Sequence, residues 1–465
     1  MRSQAGESLP GNSLDVERAN GTPVASMSGA SPGTALGPRT DRRRRRPEAR
    51  GLVEVFSNDR ASAAMSSPTL DTEEPSHGTL RPMDIGGTVA PGFERVRDEF
   101  ERNFAERGEI GAACCVYRGA EPVVDLWGGT TTADGEAPYT DRTLQLVASA
   151  TKGALAIVAH RLAERGEIDL DAPVARYWPE FAAEGKADLP VRWLLSHQAG
   201  LPAIYRVLSK EDIVGWTVPV AALAAEPPAW APGTDHGYHA ITYGWLVGEV
   251  INRVTGATCG QVFADEVARP LGLDLHIGLP PAEHHRVAPL IPAPPPAHGQ
   301  PDELTARLLD PDSIAHWAFL IPSGLFTIMN DPVIWAAELP AVNGMGTAHA
   351  LARLYAAVIG EVDGVRLLAP GSVARATDEQ CRGIDRVTGY ETAYALGFQL
   401  PFPFRPMAGP GSFGHYGLGG SVGFAHPGRG FTFGYAVNQM GPGTPADHRS
   451  VPLVDAVVRC CSADT

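Results

Sequence analysis

Strand-type patterns flank a long helical stretch in this chain, and that arrangement limits the folds open to it. Residues 149–380 read as helical segments broken by Pro and Gly. Before them, Gly111–Tyr117 and Val123–Trp127 are short β-type runs around Arg118-Gly119-Ala120, the pattern of a hairpin. After them, strand character returns in Ser421–His426 and Phe431–Asn438, and an amphipathic segment from about Pro445 to Cys460 follows. Upstream, Phe93, Val96, Phe100 and Phe104 make an apolar stripe at helical spacing. The expected fold class is α+β. One antiparallel sheet draws strands from both chain ends, helices flank it, and a mostly helical domain is inserted.

Residues 1–82 are set apart by composition. They are rich in Ser, Gly, Ala, Pro and Thr without sustained periodicity, and read as a disordered leader. The first 80 hold ten basic and ten acidic residues, so the net charge of −15 belongs to residues 81–465. Within that body the sheet portion is expected at about 83–165 and 390–465, and the helical portion at about 166–389. An acidic body argues against nucleic acid as a partner. No apolar run approaches the ~18 residues of a membrane helix. No basic segment leads into an apolar one, which points to a cytoplasmic protein. The six cysteines have neither metal spacing nor a disulfide pattern and read as buried, reduced thiols.

Only Lys152, Lys186 and Lys210 among the 38 basic residues are lysines. Lys152 closes Ser149-Ala150-Thr151-Lys152, ahead of the helix-like Gly153–Ala159. A helix beginning near Ser149 puts the hydroxyl and the amine one turn apart on one face. A serine hydroxyl is a weak nucleophile until a base takes its proton. Lysine can be that base if burial lowers its pKa, whereas arginine stays charged. A surface helix with a capping serine would show the same letters.

Two further stretches carry candidate chemistry. Tyr238 lies in Gly237-Tyr238-His239-Ala240, where a loop meets the helical Leu246–Ile251, and its phenol could exchange a proton in a cleft. Gly414–Gly423 is glycine-dense and runs into a strand, so its backbone N–H groups could face an oxyanion.

Ser149-x-x-Lys152, Tyr238-x-Ala240 and His415-x-Gly417, in that order, resemble the three motifs of the serine β-lactamase and penicillin-binding-protein superfamily. They are closest to its β-lactamase-like (family VIII) carboxylesterases. Gly166–Val174, Leu194–Leu201 and Pro232-Gly233-Thr234 also resemble family segments, and the likeness covers about residues 85–460. It implies Ser149 as acylated nucleophile, Lys152 as its proton acceptor and Tyr238 as the acid for the leaving group. It implies an oxyanion hole from the N–H groups of Ser149 and Leu418, and a structural role for His197. Ala240 stands where many relatives have Asn. His415 stands where they have a lysine that meets a substrate carboxylate, which weighs against β-lactam turnover.

The resulting expectation is a serine esterase for small carboxylic esters. An acyltransferase, a β-lactamase or D-Ala-D-Ala peptidase, and a non-catalytic scaffold are the alternatives. Gly419-Gly420-Ser421-Val422-Gly423 spells the GxSxG elbow, but that motif needs a following helix and strand-like residues follow here. Glu283-His284-His285 fits no metal spacing. No metal or cofactor is expected. The proline-rich Pro280–Pro301 loop is expected at the pocket rim.

Overall fold

A computed structural model describes residues 85–293, 302–441 and 447–462. The expected leader, 1–82, and its boundary lie outside the described residues.

Six strands form the main sheet: β1 (Gly86–Val89), β2 (Gly111–Arg118), β3 (Glu121–Gly129), β4 (Phe413–Tyr416), β5 (Val422–His426) and β6 (Phe431–Val437). Their order is β1-β3-β2-β6-β5-β4, antiparallel throughout. The β2–β6 pairing, running from Phe431 opposite Arg118 to Val437 opposite Ala112, joins the two chain ends. The sheet from both termini is therefore present as expected. The β2–β3 hairpin turns at Gly119, whose φ of +61° suits glycine.

β2 shows why its letters carry no polar alternation. Ala113, Cys115 and Tyr117 face one core, while Ala112, Cys114 and Val116 face another. A sheet covered on both faces needs apolar residues on both. On one side lie α1 (Glu94–Glu106), with Val96 and Phe100 buried, and the C-terminal helix, Ser450–Ser462. On the other lie α2 (Thr151–Glu164) and the helix Ala348–Ile359. α2 is buried on nearly all sides, so it shows no amphipathic face.

The middle of the chain is mostly helical, with one addition that its letters do not announce. Leu144–Leu146 pairs with Val287–Ala288 and Met345–Gly346, and the latter also pairs with Leu275–His276. These strands are two or three residues long, too short for periodicity to show. The first of them runs directly into the turn that carries Ser149.

The six cysteines are free thiols, and five of them are buried. Among the described residues, no helix is long and apolar enough to cross a membrane.

Arg449, at the entrance to the C-terminal helix, is fully buried. It bonds Glu109 at 3.0 Å, Asp447 at 2.7 Å and the carbonyls of Gln439 and Gly419. Burial pushes the Glu109 carboxyl up to about 7 despite Arg449. Burial also raises Asp447, but hydrogen bonds and charge from Arg449 outweigh it and hold that carboxyl low. Arg449→Met would strand a buried carboxylate. It is expected to cost about 3–5 kcal/mol, read as a lower urea midpoint at unchanged slope.

Candidate active site

Ser149 sits in a tight 3-10 turn, Ala148–Ala150, that leads directly into α2. The turn is sharp because Ala148 adopts φ +47°, a left-handed conformation costly for a residue with a Cβ. Neighbouring segments hold it there. Val147 N–H donates to Gly344 O at 2.8 Å, Gly344 N–H donates to Thr151 Oγ1 at 2.8 Å, and Thr151 Oγ1 donates to Ala148 O.

Lys152 lies one turn on, as the spacing predicts, with Nζ 3.2 Å from Ser149 Oγ. The side chain is fully buried, and burial alone pushes the amine well below its ordinary pKa. Nζ donates to Ala240 O at 2.7 Å and to Ala341 O at 2.9 Å. A neutral amine has two N–H donors and one lone pair. With both donors engaged by carbonyls, a neutral amine would turn its lone pair to the Ser149 hydroxyl. Ala240, set apart in the sequence by the side-chain amide it lacks, holds Lys152 through its carbonyl.

Tyr238 reaches the same point from the loop before the helix Thr242–Thr255. Its ring lies 4.8 Å from Lys152 Nζ, and its phenol hydrogen-bonds Ser149. Burial pushes the phenol well up, against the pull of that bond and of the Arg405 charge, so it rests protonated. The loop is pinned residue by residue. Gly237 N–H donates to His197 O, Tyr238 N–H to Asp385 Oδ1 and His239 N–H to His197 Nδ1, each at 3.1 Å. Leu201 N–H donates to His239 Nε2 at 3.0 Å. Both imidazoles must be neutral to accept. Burial pushes His197 well down and His239 down to about 3. His197 thus occupies the structural place that the resemblance implies.

His415 lies within β4 beside Tyr238, their ring centroids 6.1 Å apart. It is 1% exposed, and burial drives it well below its ordinary pKa, so no cation stands there at neutral pH. Gly417 follows, and a Cβ on it would lie 2.2 Å from Val147 O. That closeness is to the protein's own backbone beside the nucleophile turn. Gly417 N–H donates to Ser421 O at 2.6 Å, which places Leu418 on the tight turn between β4 and β5.

The β-lactamase family model matches residues 97–456. The chain belongs to the β-lactamase family. It is 37% identical over 396 residues to the esterase/β-lactamase LipL of Mycobacterium tuberculosis, spanning 82% of this chain and 89% of LipL. The crystal structure of a family VIII carboxylesterase is 40% identical. It covers 81% of this chain and all of that one, with a TM-score of 0.74. A penicillin-binding-protein homologue from Caulobacter crescentus is 38% identical over a similar span, with a TM-score of 0.73. This β-lactamase-family chain thus has a carboxylesterase-like serine-hydrolase fold.

Several residues of this site carry no sequence signal. Asp385 accepts from Tyr238, Val387 and Thr388 N–H, yet sits 147 residues from Tyr238. Tyr394 stacks parallel to Tyr238 at 6.2 Å, and Arg405 lies 4.9 Å over the Tyr416 ring. Phe319, from the helical insertion, touches Tyr238 at 6.2 Å. Ser421 precedes strand β5, without the helix an elbow requires. His284 and His285 each bond a backbone carbonyl, of Leu279 and Ala282. The Pro280–Pro301 loop docks through Ile291 beside Asn438 and Met440, and its residues 294–301 lie outside the described residues.

Proposed function

We propose that the protein is a serine esterase that hydrolyses small carboxylic esters through an acyl-enzyme on Ser149. The observation that carries this reading is the Lys152 amine. It is buried, without an acidic partner among the causes of its shift, both its donors are occupied, and it lies 3.2 Å from Ser149 Oγ.

In this reading the neutral amine takes the Ser149 proton as Oγ attacks the ester carbonyl. The oxyanion is met by the N–H groups of Ser149 and Leu418. The bond to the leaving alkoxide breaks, and the Tyr238 phenol supplies its proton. The proton on Lys152 passes to the Tyr238 phenolate. Water then attacks the acyl-serine, losing its proton to the Lys152–Tyr238 pair. The acyl–Oγ bond breaks, and the pair returns a proton to Ser149 Oγ. The names of LipL and the family VIII carboxylesterase support ester chemistry. A neutral His415 gives a substrate carboxylate no charge to meet at that position, so esters are expected to outpace β-lactams. An alcohol in place of water would make the same acyl-enzyme a transferase.

Intact-mass measurement during p-nitrophenyl butyrate turnover should show one butyryl group, mapping to the peptide that holds Ser149. Adding candidate alcohols tests for transfer. An adduct on another residue, or turnover without any adduct when deacylation is slowed by cold, would overturn the reading.

The pH profile follows from the same amine. Its neutral form is the active one, and burial lowers its pKa, so kcat/KM should rise with pH and level off well below the range of an ordinary lysine. A limb near pH 10 would show that Lys152 is not the depressed base.

A further inference from the structure

A second cluster of reactive side chains lies on the sheet, and it shares no residue with the Ser149 site. Cys115 on β2 and Asp125 on β3 are directly paired across the hairpin, so both side chains stand on the same face. The helix Ala348–Ile359 covers that face and brings His349 over the pair. It can lie this close because Gly434, the β6 partner of Cys115, has no Cβ. One there would come within 2.1 Å of Ala348 O.

His349 Nδ1 lies 2.8 Å from Asp125 Oδ2 and 3.8 Å from Cys115 Sγ, so one ring nitrogen faces both groups. All three donor atoms lie within 4.8 Å of one another, and they form the only such His/Cys/Asp/Glu group among the described residues. Around a tetrahedral ion with Zn–N and Zn–S bonds of ordinary length, neighbouring donors stand ~3.5 Å apart. The two separations straddle that value.

We propose that Cys115, Asp125 and His349 bind a divalent transition-metal ion of the zinc type. The thiolate and carboxylate together offset its two charges. The sulfur and imidazole donors favour such an ion over calcium or magnesium. Three protein ligands leave a fourth position, and the side chains of Asp125 and His349 are 28% and 38% exposed, so water can reach it. The outer groups fit as well. Tyr117 Oη lies 3.0 Å from His349 Nε2 and accepts from Arg353 at 3.3 Å. It can therefore receive the Nε2 proton when Nδ1 turns to the metal. On binding, the Cys115 thiol gives its proton to solvent, and Nδ1 ligates with the imidazole proton held on Nε2. Spacing along the chain gives no hint of this set, because the ligands span 234 residues.

The full chain, stripped with chelator and then dialysed against micromolar Zn²⁺, should retain one equivalent by elemental mass spectrometry. Co²⁺ should give a thiolate charge-transfer band and the intense visible bands of tetrahedral cobalt. Cys115→Ser should lose the charge-transfer band, and Asp125→Asn and His349→Gln should each weaken binding at least tenfold, with circular dichroism and ester turnover checking the fold. Bound Zn²⁺ should also raise the wild-type melting temperature, a measurement that needs no variant. The proposal is overturned if the wild type holds well under one equivalent and shows no melting shift. It is equally overturned if folded variants bind as the wild type does, which would leave His349 and Asp125 as a hydrogen-bonded pair pinning the helix to the sheet.

Discussion

Lys152→Arg should abolish ester turnover almost as completely as Lys152→Ala. Arginine keeps the positive charge and the reach, so an electrostatic role would survive the change. A proton-accepting role would not, because a guanidinium stays protonated at any pH the protein tolerates. General-base contributions run to about 10²–10⁴-fold. Here the loss should lie at the upper end, since arginine must also fit a fully buried slot between two carbonyls. Initial rates on p-nitrophenyl butyrate would measure it, with circular dichroism as the check on folding. A folded arginine variant within tenfold of wild type would remove Lys152 as the base.

Ser149→Ala carries the other large effect, and its meaning comes from comparison with Ser421→Ala. Removing a nucleophile typically costs on the order of 10⁴-fold or more, whereas a serine outside the chemistry costs little. Ser149 has the amine 3.2 Å from its oxygen and a phenol bonded to it. Ser421 is buried ahead of a strand and receives Gly417 N–H on its carbonyl. The first variant should therefore be inactive and form no acyl adduct, while the second turns over near the wild-type rate. The opposite result would make the GxSxG match the true elbow.

These two serines show where letters alone suffice. The Ser149–Lys152 relation spans three residues, and helix geometry fixes it once a helix is granted. The α1 stripe, the hairpin at Gly119 and the strands beside Phe424 and Phe433 were readable for the same reason, since each depends on near neighbours. The small strands at Leu144, Leu275, Val287 and Met345 were not, because two or three residues show no period. Nor were Asp385, Tyr394 and Arg405, which act on Tyr238 from more than 140 residues away.

The sequence by itself determined that a hydroxyl and the one suitably placed amine share a helical turn, and that strands from both ends enclose a helical insertion. Only the tertiary structure decided that burial pushes this amine well below its ordinary pKa while carbonyls from two distant segments accept hydrogen bonds from it. The cross-strand pairing of Cys115 with Asp125 under His349 belongs to the same class. Desolvation and convergence are properties of packing, and no spacing along a chain encodes them.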